Sequence, residues 1–594
     1  MSEPYSTRPR QVGPSLPSPL QRRPAQRAAR SARALARLLV LGGLLAGSVA
    51  LVVAPASGQG LDTPRAEFGI DNPIVRENAQ PGDLNWQLPS APRVESKVST
   101  ADQPDATHEG IARWDPPPIS GYADRTSVAP GEVIRFYVST TAPLYDLNIS
   151  RMGWYGGKGG RTVHTVYGLP GVWQPVPAPD PDTGLIVADW QPSYSLTIPL
   201  GWPSGVYLVR LLATNEYLDA AYIMFVVRDD NQVADFVYKV AVNTYQAYNN
   251  WGGKSLYAYN SVGPPATKVS YDRPYSQWQG AGHFFDWDYP MIRWLEREGY
   301  NVTYITDIDA HTDRAYQRSR RALLSVGHDE YWTWEMRAAW EAARDANRSL
   351  GFFGGDTIYW QVRLEPSARG VPNRVLVCYR DPALDPLAGI DDQRVTVRWR
   401  DAPLGRPENA LVGVLFDNAI PWEEDFPYVV KAADHWIFDG TDARPGDAWS
   451  RIVGYEYDLA YNNGHSPPNL VVLSESPVVG ANGRPSVSHS TYYRQGGMVF
   501  AAGTIDWAWA LDDFRQQWGG TPSRVDSRLQ RVTANVLRAF RQGGPPVRPS
   551  TPREEGSPGW WLAGLALSAA AVLGGGTAWL LLRRRSPQYD PWPE

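Results

Sequence analysis

The chain has 594 residues, a formal net charge of −5, and 43% hydrophobic and 12% aromatic side chains. That apolar content can fill two or more domains, and a weak charge without a basic patch excludes nucleic acid as a partner. Cys378 is the single cysteine, which excludes an internal disulfide and leaves the fold to rest on its own core.

In chain order, residues 1–56 carry Arg22, Arg23, Arg27, Arg30, Arg33 and Arg37, then an apolar run over 38–53 and the small-residue site Ala54-Pro55-Ala56. This is the pattern of a secretory signal or an uncleaved signal-anchor. Residues 57–115, rich in Pro, Asp, Gln and Ser, read as a linker. From 116 to 230 the apolar period is two: Ile134, Phe136 and Val138 alternate with Arg135 and Tyr137, and Tyr194, Leu196 and Ile198 with Ser195 and Thr197. Gly and Pro clusters punctuate these runs, so the segment predicts a β-sandwich.

From 231 to 545 short apolar runs alternate with amphipathic stretches. FVYKVAVN, NVTYIT, ALLSV, SLGFFGG and GGMVFAAG read as strands. YPMIRWLERE, WEMRAAWEAARDAN and SRLQRVTANVLRAF read as helices, with Thr333 the N-cap of the second. The alternation predicts an α/β domain: a doubly wound, mostly parallel sheet of Rossmann-like or glutamine-amidotransferase-like type, with 370–490 an elaborated insertion. Residues 546–558 read as a second linker. Residues 559–582 hold an uncharged apolar run long enough to cross a bilayer. Arg583, Arg584 and Arg585 follow and assign 583–594 to the cytoplasm. The expectation is an extracytoplasmic protein tied to the cell membrane by a single-pass C-terminal helix.

Ligands of an open α/β sheet bind beyond the carboxyl ends of its strands, so the residues following each run are the candidates. VAV is followed by Asn243 through Tyr248, LLSV by Gly327, His328, Asp329 and Glu330, GFF by Gly354, Gly355 and Asp356, and MVFAAG by Thr504 and Asp506. Each set of polar groups has a glycine near it, where backbone can turn sharply or approach a ligand. Asp307, Asp309 and Asp313 lack the glycine and terminal glutamate of an EF-hand loop, which favours a solvated turn. No nucleophile elbow is present.

The motifs NTYQAYNNWGG, FFDWDYPMIRWLEREGYNVTYITDID, LLSVGHDEYWTWEMR, GFFGGDTIYW and GMVFAAGTIDWAWALD, in that order, resemble the large (beta) subunit of N,N-dimethylformamidase and its relatives. SRMGWYGGKGGR is similar to the β-domain before that core, so the resemblance covers roughly residues 115–540. It implies a mononuclear Fe(III) held by two tyrosines and one glutamate: Tyr248 of AYNNWGG, Glu330 of GHDEYW, and Tyr207 of SGVYLVRL. It makes His328 a catalytic or supporting group and Glu456 of VGYEYD a candidate acid/base carboxylate. Asp356 stands where the amidase pattern calls for asparagine, which bears on the substrate more than on the metal. The implied reaction is hydrolysis of amide-like C–N bonds, with a small partner subunit or a homo-oligomer left open. Phenolate and carboxylate are hard donors suited to ferric iron, and a metal supplies the charge that keeps a phenol deprotonated. Two other readings stay open: a non-catalytic surface module binding polysaccharide, and a carbohydrate-active hydrolase using Glu330, Asp356 or Glu456 as paired carboxylates.

Overall fold

The computed structural model of the protein describes residues 72–89 and 110–546, apart from 112, 216, 232–233, 313–320, 422–423 and 515–522. The segments expected as an N-terminal signal and as most of the first linker, and everything from 547 onward, including the stretch at 559–582, lie outside the described residues.

The first body is built from alternating strands. Ser127–Val128, Ala220–Val227, Gly205–Ala213, Leu144–Met152 and Gly160–Pro170 form a five-stranded sheet in that order, and Ile119–Ala123, Val133–Thr140 and Tyr194–Thr197 a three-stranded one. Period-two spacing sends Ile134, Phe136 and Val138 to one side, where they join Leu147, Ile149, Val209, Leu211 and Phe225 from the larger sheet in one core.

The second body centres on a seven-stranded sheet in the order Val302–Thr306, Phe236–Val240, Ala322–His328, Ser349–Gly355, Gly497–Ala501, Thr491–Gln495, Val471–Val472. Its first five strands pair in parallel, and the last two are joined on by antiparallel pairings. Around it lie a four-stranded mixed sheet and three two-stranded antiparallel ones.

These observations correct the expectation of a doubly wound α/β fold. The described residues are mostly strands in mixed sheets, with few helices. The helix after Phe236–Val240 is the seven-residue Val242–Tyr248, and that after Val302–Thr306 the six-residue Asp307–Thr312. Only Tyr289–Arg297, Trp334–Asp345 and Ser527–Gln542 are longer among the described residues. The region expected as an irregular insertion forms short antiparallel pairs such as Leu415–Ala419 with Glu456–Leu459 and Asp425–Val429 with Ala448–Gly454. Strands this short carry too few alternating positions to register as periodic. The expected membrane location is corrected as well: among the described residues no helix is long and apolar enough to cross a membrane.

A polar seam joins the bodies. Arg151, on a strand of the first, meets Glu296, on the helix Tyr289–Arg297 of the second, through two bonds of 2.8 and 2.9 Å, with both side chains fully buried. The short helix Pro73–Asn78 starts on a proline behind the Asn72 cap and fastens both sides. Asn78 gives its amide to Glu296 and accepts the backbone N–H groups of Trp154 and Tyr155, while Asn72 donates to Gly299 O.

Candidate functional site

Parallel register aligns the ends of the neighbouring strands Ala322–His328 and Ser349–Gly355, pairing His328 with Gly355. The approach depends on glycine. A Cβ on Gly354 would fall 2.0 Å from Gly327 O, and Gly327 itself turns at φ +63° against Trp287. Asp356 follows at φ +50°, fixed by its N–H to Asp458 Oδ1 at 2.8 Å.

On one side of Glu330 stands a group of phenols. Tyr248, the last residue of its short helix, donates to Glu330 Oε2 at 2.8 Å. Tyr257, in the loop beyond, lies 2.7 Å from the Tyr248 hydroxyl and 3.1 Å from both Glu330 oxygens. The two rings stack with centroids 4.3 Å apart. Tyr331 donates its hydroxyl to Tyr257 at 2.6 Å. Glu330 is held through its own backbone: its N–H reaches Thr244 Oγ1, and its carbonyl accepts Tyr359 and Trp360 N–H groups. Burial first, and then the Glu330 charge, push the Tyr248 hydroxyl well above the ordinary phenol range. Tyr257 is raised for the same reasons, with Arg380 opposing.

On the other side is an acid cluster around one imidazole. His328 Nε2 lies 3.1 Å from Glu456 Oε2, 3.2 Å from Glu330 Oε2 and 3.8 Å from Asp356 Oδ2. One ring nitrogen has a single proton for three carboxylates. Burial works against the imidazolium, but Glu456, Asp356 and Glu330 outweigh it and raise His328 well above its usual range. Asp356 is raised too, by burial and then by the neighbouring Glu330 charge. Beneath the site Lys239 is fully buried between Asp307 and Asp329. A lone buried ammonium would cost several kcal/mol, so Asp307 and Asp329 serve as its counter-ions.

The structure thus brings Tyr248, His328, Glu330, Asp356 and Glu456 together. It does not bring Tyr207 to them. That ring is buried in the core of the first body, stacked on Trp202 and Phe225, and its hydroxyl donates to Pro203 O at 2.7 Å. Asp506 also turns elsewhere, accepting from Trp287 Nε1 and Arg524. Tyr257, Tyr331 and Arg380 were missed by sequence reasoning. The available signal was the density of phenols at Tyr257 and Tyr259, nine and eleven residues past Tyr248, and the tyrosine directly after Glu330.

Three hard oxygens, from Tyr248, Tyr257 and Glu330, therefore stand 2.7–3.1 Å from one another. Neighbouring ligands of a small octahedral ion with bonds of about 2.0–2.1 Å are about 2.9 Å apart, so this donor set fits a hard cation such as ferric iron. His328, Glu330 and Asp356 also offer ligand atoms within 4.8 Å of one another.

Comparison with known proteins agrees with the motifs. The family described as "N,N-dimethylformamidase beta subunit-like, C-terminal" matches residues 146–520. The N,N-dimethylformamidase beta subunit of Alcaligenes sp is 24% identical over 443 residues, 60% of this chain. The chain spans only 55% of the length of that relative. Among solved structures, a Paenibacillus sp. cycloisomaltooligosaccharide glucanotransferase in complex with cycloisomaltoheptaose aligns at 10% identity, over 33% of this chain and 27% of its own, with a TM-score of 0.12, too low to carry an argument.

Proposed function

The chain belongs to the N,N-dimethylformamidase beta subunit-like family, and from that premise we propose that it is an iron-dependent hydrolase of amide-like C–N bonds. The observation that carries the reading is the convergence of the Tyr248, Tyr257 and Glu330 oxygens within 3.1 Å of one another. These three residues would hold Fe(III), with Tyr257 in the part the family resemblance gave to Tyr207. When bound, the metal polarises the amide carbonyl and acidifies a water.

The remaining work falls to the acid cluster. His328, kept protonated by its carboxylate neighbours, gives its Nε2 proton to the departing nitrogen as the C–N bond breaks. Glu456, 3.1 Å from His328 Nε2, takes the proton lost by the attacking water and returns it to His328. Asp356, 3.8 Å from His328 Nε2, adds to the support of the imidazolium. Burial of the group excludes bulk water, which strengthens each of these contacts. The products are a carboxylic acid and an amine. Because the Alcaligenes relative is named as a beta subunit, a companion subunit belongs to the proposal.

The test is metal content and the visible spectrum of the full chain beside Tyr248→Phe, followed by a panel of formamides and small amides. About one iron per chain, a charge-transfer band lost on the substitution, and amine release support the reading. A folded, colourless, iron-free chain, or an iron-loaded chain inert on every amide, refutes it.

A further inference from the structure

Tyr257 has attachments that Tyr248 lacks. Its hydroxyl accepts from Tyr331, and Tyr331 in turn accepts from Arg380 Nη2 at 2.5 Å. The guanidinium of Arg380 also lies 4.0 Å from the centroid of the Tyr257 ring and 5.1 Å from that of Trp360. One cation thus touches Tyr257 twice, over its π face and, through Tyr331, at its oxygen. The chain goes to some length to put it there. Arg380 sits three residues beyond the strand Val375–Val377, at φ +65°, anchored by its N–H to Thr396 O. The groups that favour its charge are, in order, the hydroxyls of Tyr331 and Tyr257, the Cys378 thiol and the Glu330 carboxylate. A phenol oxygen that gives one lone pair to a metal keeps another for a donor, and Tyr331 occupies it.

We propose that Arg380 and Tyr331 are positioning residues for Tyr257: they fix its oxygen toward Tyr248 and Glu330 and draw electron density out of its ring. The inference rests on the reading of that triad as a metal site, and it sets the two phenols apart, Tyr257 being the electron-poorer ligand.

The spectrum tests this independently of turnover. Visible absorption moves charge from phenolate to ferric iron. A cation on the ring and a hydrogen bond to the oxygen both lower the energy of the phenolate electrons. Removing either therefore shifts the band to longer wavelength. The iron-loaded full chain is compared with Tyr331→Phe, Arg380→Met and Arg380→Lys, with iron per chain measured in parallel. The expected result is retained iron and a longer-wavelength band, the shift being largest in Arg380→Met. Arg380→Lys falls between, because a lysine keeps the charge without the planar fork. Tyr331→Phe removes one oxygen and decides the matter if Arg380→Met does not fold. A band at unchanged or shorter wavelength with iron retained overturns the inference and leaves the proposed hydrolase standing. A wild-type chain without iron or band overturns both.

Discussion

Glu296 sits where two bodies meet, and replacing it by glutamine isolates the worth of its charge. Four donors converge on its two oxygens: Arg151 Nη2 and Tyr304 OH on Oε1, and Arg151 Nη1 and Asn78 Nδ2 on Oε2, all at 2.8–2.9 Å. A glutamine of the same shape supplies one acceptor oxygen. Whichever way its amide turns, an NH2 group faces two donors, and the buried guanidinium of Arg151 loses its counter-charge. Removing one partner of a buried pair costs about 3–5 kcal/mol, a large part of a total stability of roughly 5–15 kcal/mol. Glu296→Gln should therefore lower the urea midpoint steeply in tryptophan fluorescence. The pair is not itself a great stabiliser, so Arg151→Met combined with Glu296→Gln should lose less than Glu296→Gln alone. A loss below about 1 kcal/mol in the single variant, or a double variant worse than it, would refute this account of the seam.

Two other expectations are independent of the site's chemistry. Asp288 is buried and accepts hydroxyl hydrogen bonds from Tyr238 and Tyr245, and burial raises its carboxyl to about 7. The folded chain keeps a proton that the unfolded chain releases near pH 4. The resulting stabilisation, on the order of 3–4 kcal/mol at most, is complete below about pH 4 and lost as pH rises toward 7. Relative to Asp288→Asn, wild-type stability should fall between pH 4.5 and 7.5 in urea titrations; a pH-independent difference between the two would contradict it. Gly354→Ala brings a methyl to 2.0 Å from Gly327 O, where the three nearest atoms are all Gly327 backbone and cannot swing away. The strand bearing His328 and the one leading into Asp356 must separate, at about 1–3 kcal/mol or more, so the variant should melt earlier and lose activity together. A fully active, equally stable Gly354→Ala would show that the strand ends need no such closeness.

Sequence gave access to the site more readily than to the fold. His328, Glu330 and Asp356 were legible because each follows an apolar run at once, beside a glycine, and Tyr248 because it closes the short segment after VAV. Tyr257 sits in a loop with no period, its direction set by contacts to Tyr331 and Arg380, which lie far along the chain. Tyr207 shows the converse: a phenol in an apolar strand reads the same whether its hydroxyl meets a metal or, as here, a carbonyl four residues back. The strong parallel runs were visible as apolar blocks, but the antiparallel pairs between 415 and 488 are short, and two of them are bulged. Their pairing is decided by partners rather than by local pattern.

The seam carries a lesson for anyone who would cut this molecule. The change of texture near residue 230 invites division there, yet Ser204 reaches Thr303 and the N–H of Tyr304, Ser127 reaches Asp309, and Glu77 holds Tyr155 and Arg161 from a helix that precedes the strands among the described residues. A fragment beginning at the first strand would forfeit that brace, and one beginning at residue 231 would expose the carboxylate of Glu296 to solvent with its cation gone. Heated or denatured, the two bodies should therefore come apart and unfold in a single transition, and a protease that nicks one should find the other already loosened.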